Sequence, residues 1–289
     1  MALLAALIGG VYVIFIRKAA VAGHTLEVLM AVISVNVLIF LPLSLLYYPS
    51  FGLNETSLLS FMAAGLVGTF LGRIFQYLGV ERVGAARTEP VSRGSLIIST
   101  ILAIYVLGEP IAAGHLVGII ILAIGILIIG YEMSREKNST TKSGWRSWID
   151  ISLPFIAMFF FGLESPFGKI GLSEGTPVLV GLSVKFSTGL VAMAGYLFLT
   201  DRKSIFPFRS KERNLYIVTG LLASAVHGLR YLSLSMSRVV VVDPFLSITP
   251  LFVLLLSYLF LRKLERITAL LIFGSVLVVL GAISMGMFM

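Results

Sequence analysis

Ten stretches of this chain are each apolar over the roughly 20 residues that a helix needs to cross a bilayer, and together they use nearly all of its 289 residues. They run 2–22, 27–48, 57–79, 85–107, 110–131, 148–170, 176–199, 214–236, 239–261 and 267–288. The widest gaps, 132–147 and 200–213, are too short to hold a folded domain outside the membrane. Charged residues make up 12% of the chain and the mean hydropathy is +1.02. A soluble domain carries about 25% charged residues, and disordered chains are more polar still, so both classes are excluded. Without cysteine there is no disulfide, thiolate metal site or Cys nucleophile. His24, His115 and His227 lie in separate segments, which argues against a metal centre. The first stretch does not read as a signal peptide, because Arg17 and Lys18 follow its apolar run instead of preceding it. Inside a bilayer every backbone polar group must be satisfied within its own segment, so helices are expected throughout.

The chain repeats itself. Tyr77-Leu78 precedes Glu89-Pro90 as Tyr231-Leu232 precedes Asp243-Pro244, at a shift of 154. Glu109, Gly118 and Gly125 match Glu265, Gly274 and Gly281 at 156, while Gly10 and Arg17 match Gly162 and Lys169 at 152. Residues 1–131 and 148–289 therefore read as two five-helix repeats joined by a basic polar linker, 132–147. Five is odd, so the second copy enters the membrane from the opposite side. Inverted repeats of this kind build many secondary transporters, with the solute site near the midplane between the repeats. The fold class is an all-α integral membrane protein of ten transmembrane helices in two inverted repeats.

This pattern resembles the EamA-type branch of the drug/metabolite transporter superfamily. The most specific match is Leu107-Gly108-Glu109-Pro110-Ile111, followed by Gly118 and Gly125 in an aliphatic helix. It is similar to the family's Gly-Glu turn before the last helix of a repeat. The second copy keeps the acid in Arg262-Lys263-Leu264-Glu265 without the glycine, and the Trp often found beside the helix 1 glycine is absent at Gly9-Gly10. The resemblance implies a cavity between the repeats, lined by segments 3, 4, 8 and 9 with contributions from 1, 2, 6 and 7.

Loop charge sets the orientation. Sixteen of the 22 Lys and Arg residues fall in loops 1, 3, 5, 7 and 9, and two fall in loops 2, 4, 6 and 8. Because basic loops stay cytoplasmic, this bias puts both termini outside. The resemblance implies the reverse, since better-known members keep their termini in the cytoplasm; the charges of this chain decide for outside. The net charge of +8 then reflects loops against anionic lipid headgroups and needs no nucleic acid partner. Asn54-Glu55-Thr56 and Asn138-Ser139-Thr140 match the glycosylation pattern by chance.

Ionisable residues inside a membrane are costly and mark functional sites or paired clusters. Arg73, Gln76 and Tyr77 share one helix face at spacings of three and four, and His227, Arg230 and Tyr231 repeat that face at a shift of 154. Glu89 and Asp243 each stand just before a proline, where a carboxylate suits a positive helix end, and Arg93 is one turn from Glu89. Lys185 lies deep in segment 7 and Glu164 near Pro166 in segment 6. The plain alternatives are an Arg73 that snorkels to the headgroups, interfacial tyrosines, acids that only cap helices, and an Asn36 that bonds between helices. If the faces are functional, loop positions predict that Arg73, Gln76, Tyr77, Glu89 and Arg93 lie toward one membrane face and His227, Arg230, Tyr231 and Asp243 toward the other, as two gates.

No HExxH, Walker A, GxSxG or paired aspartate motif is present. His227 with Asp243 forms at most an acid–base pair without nucleophile or metal, so an enzyme is not expected, nor a cofactor. The expected activity is secondary transport of a small anionic or zwitterionic metabolite, with Glu89 and Asp243 as candidate sites for a coupling proton. A membrane-embedded binding, scaffold or lipid-handling protein is the alternative.

Overall fold

The computed structural model describes residues 1–107, 113–138, 145–200 and 210–287. Among them there is helix and no strand. The elements are α1 (Ala2–Ala22), α2 (Thr25–Tyr47), α3 (Glu55–Ala64), a π-helical stretch (Gly65–Gly72), α4 (Arg73–Val83), α5 (Ala85–Ser92), α6 (Ser95–Leu107), α7 (Ala113–Asn138), α8 (Trp145–Ser173), α9 (Val178–Leu199), α10 (Arg213–Met236), α11 (Val239–Leu246), α12 (Thr249–Phe260) and α13 (Ala269–Met287). Nine helical runs among the described residues are long and apolar enough to cross a membrane. The fourth apolar window is the exception. It breaks at Arg93-Gly94 into α5 and α6, of eight and thirteen residues.

The ninth window breaks at the equivalent place, between α11 and α12. Both breaks follow a proline, Pro90 or Pro244, at the sixth position of an eight-residue half-helix. Proline has no N–H to donate to the preceding turn; each half-helix ends two residues after it, and the next helix starts five residues after it. The third window has a different irregularity. Its axis passes through the eight π-helical residues at Gly65–Gly72, a rare geometry that is frequent at functional sites. A Cβ on Gly68 would overlap the Glu164 carboxylate, and one on Gly72 would lie 2.7 Å from the Phe161 ring. Only glycine lets α8 approach so closely.

The ten segments group into two repeats, and the packing brings equivalent helices together. α2 packs on its counterpart α9, and α7 on its counterpart α13. α1 packs on α10 and α12, as α8 packs on α3, α4 and α6. Along α7 and α13 the backbones nearly touch: a Cβ on Gly274 would lie 3.0 Å from the Gly125 carbonyl, and one on Gly281 2.7 Å from that of Gly118. Small residues at these four positions are what a tight pair needs in lipid, where helices gain no hydrophobic drive to associate. Asn36 of α2 joins the packing by accepting from Ser224 of α10 at 3.2 Å.

Side-chain bonds gather the ends of the odd-numbered loops at one end of the molecule. Arg17 donates to the carbonyls of Val80 and Glu81 at 2.8 and 2.5 Å. Arg82 pairs with Asp150 at 2.8 Å. Arg87 forms a buried two-point pair with Glu132, 3.0 and 2.9 Å, and Thr268 donates to the same carboxylate at 2.9 Å. α7 continues to Asn138, so residues 132–138 are helical although their composition suggests linker. At the opposite end Asn54 accepts from the Ser57 N–H and donates to Glu174. Its amide is a helix cap, which accounts for it without glycosylation. Glu109 and the second sequon, apart from Asn138, lie outside the described residues.

Candidate functional site

The two polar faces meet in one cavity. It has a volume of about 80 Å³ and is lined by α1, α4, α5, α6, α8, α10 and α11. Arg73, Gln76, Glu89, Arg93, Glu164, His227, Arg230 and Asp243 all border it. Tyr77, Lys185 and Tyr231 are fully buried directly behind them. Among the described residues neither α2 nor α9 lines the cavity, in contrast to the expected contributions of segments 2 and 7; Lys185 of α9 reaches it only through Glu164.

The expected separation of the two sets toward opposite faces is not found. Arg73 Nη2 lies 2.5 Å from His227 Nε2, so the sets are in direct contact. The reason is helix length. The apolar window ends near Gly79, but α4 continues to Val83, ten residues past Arg73, about 15 Å of helical rise. That depth also removes the snorkelling alternative. His227 is nine residues from the end of α10 at Met236, a similar depth. The acids are not helix caps either. Glu89 and Asp243 are each the fifth residue of an eight-residue half-helix, at the cavity end of α5 and α11.

Two networks share the cavity wall. In the first, Glu164 Oε1 takes both Lys185 Nζ at 2.6 Å and Arg230 Nη1 at 2.7 Å. Arg230 also donates to Ser165 and stands 3.7 Å from Asp243 Oδ1. Asp243 Oδ2 accepts from Ser165 at 2.8 Å and from Ser99 at 3.3 Å. The Lys185 ammonium sits over the Tyr231 ring, 4.6 Å from its centroid, so Tyr231 serves as an aromatic floor for that charge. In the second network Arg93 pairs with Glu89 at 2.5 Å, and Gln76 Nε2 donates to the other Glu89 oxygen at 3.3 Å. Arg73 donates to Gln76 Oε1 at 2.9 Å and to the Tyr12 hydroxyl at 3.0 Å, which is 2.7 Å from the Tyr77 hydroxyl.

Tyr12, Ser99, Ser165 and Phe161 escape a reading of the sequence alone. The serines carry no signal, since small polar residues are common between membrane helices. Tyr12 does carry one. The shift of 152 that pairs Gly10 with Gly162 and Arg17 with Lys169 also pairs Tyr12 with Glu164. The same symmetry recurs in the bonds: Arg17 donates to the Val80 carbonyl, and Lys169 donates to that of Leu234, 154 residues later, at 2.9 Å.

At the basic-loop end Glu265 closes over the start of α5. Its carboxylate accepts from the Ala85 and Ala86 N–H groups at 2.6 and 3.0 Å and lies 3.3 Å from Arg17 Nε. Gly84, with φ of 101°, makes the turn that aims these N–H groups, a backbone conformation only glycine adopts freely. The half-helix therefore has a carboxylate held at its first turn and another, Glu89, presented to the cavity by its last.

A cavity bordered by ionisable side chains between two repeats, with half-helices broken in the same register, is an arrangement that many multi-pass secondary transporters share. The chain matches the EamA-like transporter family over residues 1–131 and 148–287 and belongs to that family. No protein of curated function matches it in sequence. A solved crystal structure is similar to it at a TM-score of 0.66 and 14% identity, covering 99% of this chain and 99% of the other, a likeness of fold alone.

Proposed function

We propose that the protein is a secondary transporter that moves a small anionic or zwitterionic organic metabolite by alternating access through this cavity. The observation that carries the reading is the charge balance of the site. Arg73, Arg93 and Arg230 border the cavity and Lys185 stands directly behind it on Glu164, four bases against the three acids Glu89, Glu164 and Asp243. A site whose lining and backing together carry surplus positive charge favours a solute that brings a negative group. Asp243, whose nearest cation is 3.7 Å away, suits an ammonium on a zwitterion. A cavity of about 80 Å³ is far below the roughly 300 Å³ and more of small-molecule sites. Solute entry therefore requires rearrangement, and the breaks after α5 and α11 are where the half-helices can swing. Exchange of radiolabelled metabolite by the purified protein in liposomes tests the reading; ligand binding without exchange would replace it with a binding or scaffold role.

Glu89 and Asp243 are the sites proposed for a coupling proton, because each is a cavity carboxylate held by a half-helix. Glu89→Gln and Asp243→Asn should each lower exchange at least about tenfold, the effect of roughly 1.4 kcal/mol, with normal folding. Wild-type exchange in both variants would reduce the acids to wall residues.

The orientation proposed from loop charge puts the basic end in the cytoplasm and both termini outside. The absence of native cysteine gives a clean background for its test. Ser210→Cys, at the basic end, should be shielded from an impermeant thiol reagent in intact cells. Ready labelling there would reverse the assignment.

A further inference from the structure

Three of the four membrane cations already have a resident carboxylate: Arg93 has Glu89, while Lys185 and Arg230 share Glu164. Arg73 has none within ion-pair distance among the described residues. Its partners are the Tyr12 hydroxyl, the Gln76 amide oxygen and the His227 ring, all neutral, together with the faces of Tyr12 and Phe161, 5.5 and 5.3 Å from the guanidinium carbon. A guanidinium has no acceptor and does not lose its proton. His227 Nε2 must therefore accept from it, which places the imidazole proton on Nδ1, an atom with no partner among the described residues. The histidine is neutral in this arrangement, so no anion lies within ion-pair distance of Arg73, and Glu164 and Glu89 act on it only from farther off.

Donor counting leads the same way. The two Nη1 hydrogens go to Tyr12 and Gln76, and one Nη2 hydrogen goes to His227. The Nε–H and the second Nη2 hydrogen make no bond to the described residues. Pseudo-symmetry explains the vacancy. Position 164 of the second repeat supplies the acid that neutralises Arg230 and Lys185. Its counterpart in the first repeat is Tyr12, which contributes a hydroxyl and a ring face but no charge.

We infer that Arg73, flanked by Tyr12 and His227, is the seat for a carboxylate of the transported solute, the specificity-determining contact of the site. An arginine suits this role because its planar fork binds a carboxylate at two points, and Tyr12 holds the fork in orientation from below. The inference rests on the cavity being the solute site.

The test uses full-length purified protein and a thermal-shift panel of the proteinogenic amino acids and short mono- and dicarboxylates, each beside its amide. Ligands that bind the folded state raise the melting temperature. Carboxylates from the panel should stabilise the wild type and their amides should not. Arg73→Gln should abolish that shift, and Arg73→Lys should retain part of it. The ligand-free melting temperature of Arg73→Gln should stay near that of wild type, because no ion pair is broken; a purely structural arginine would give a fall. Tyr12→Phe, which keeps the ring, should weaken carboxylate binding without loss of folding. The inference is overturned if no carboxylate in the panel stabilises the protein, if amides do as well, or if Arg73→Gln keeps the shift. Exchange in liposomes is read separately: carboxylate binding without flux would sink the transport reading and leave the seat standing.

Discussion

Glu164→Ala is expected to be the most damaging single substitution in the membrane interior. One carboxylate oxygen holds Lys185 and Arg230 at 2.6 and 2.7 Å, and Lys185 is fully buried. Removing the acid leaves two cations in a dry interior with only Asp243 nearby, at 3.7 Å from Arg230. Breaking a buried pair from one side costs about 3–5 kcal/mol, and here two pairs break at once. The variant should show a large loss of thermal stability in detergent and no transport. Glu164→Gln keeps an acceptor and should fall between. Adding Lys185→Met to Glu164→Ala removes one of the stranded charges and should recover part of the stability, a coupling expected only for side chains in contact. A double variant no more stable than Glu164→Ala alone would show that the charge balance is not what matters there.

Glu265→Ala should act on access more than on binding. The acid satisfies two N–H groups at the start of α5 and faces Arg17. Hydrogen bonds to charged groups contribute about 1.5–3 kcal/mol each. If the loss of one falls on the conformation closed at this end, the open population rises about tenfold or more. Ser92, on the cavity wall at the end of α5, offers the reporter. In the Cys-free chain, Ser92→Cys should label faster from the basic-loop side when Glu265 is absent, with labelling from the other side slowed. Unchanged labelling in a folded variant would make Glu265 a helix cap and nothing more.

Hydropathy made the ten segments legible because lipid forces a length and a composition on each. The repeat and the two polar faces were legible because duplication left matching residues at matching intervals. What hydropathy could not give was helix length beyond the apolar window. Gly79 to Val83 is polar enough to read as loop, yet it is helical and bound at its end by Arg17. That missing turn is what left snorkelling open for Arg73 in the sequence, whereas in the fold the residue lies ten residues short of the end of α4. Arg93-Gly94 likewise reads as part of a continuous span, whereas the chain breaks there after Pro90. The π-helical stretch has no signature beyond its glycines, because what requires it is Glu164 and Phe161 on another helix. Arg87 and Glu132, assigned to loop and linker by composition, turn out to be a buried pair.

The charges of the two repeats also bear on why they are joined in one chain. Within the membrane the first carries Arg73 and Arg93 against Glu89, and the second carries Lys185 and Arg230 against Glu164 and Asp243. Two identical halves in a symmetric dimer would have twice the charge of either, always an even number: two surplus cations from the first, none from the second. The fused chain has one. A single unmatched guanidinium is therefore something that an ancestral pair of equal halves could not have possessed. Tyr12 and Glu164, at equivalent positions of the two repeats, are one of the places where the halves differ in charge.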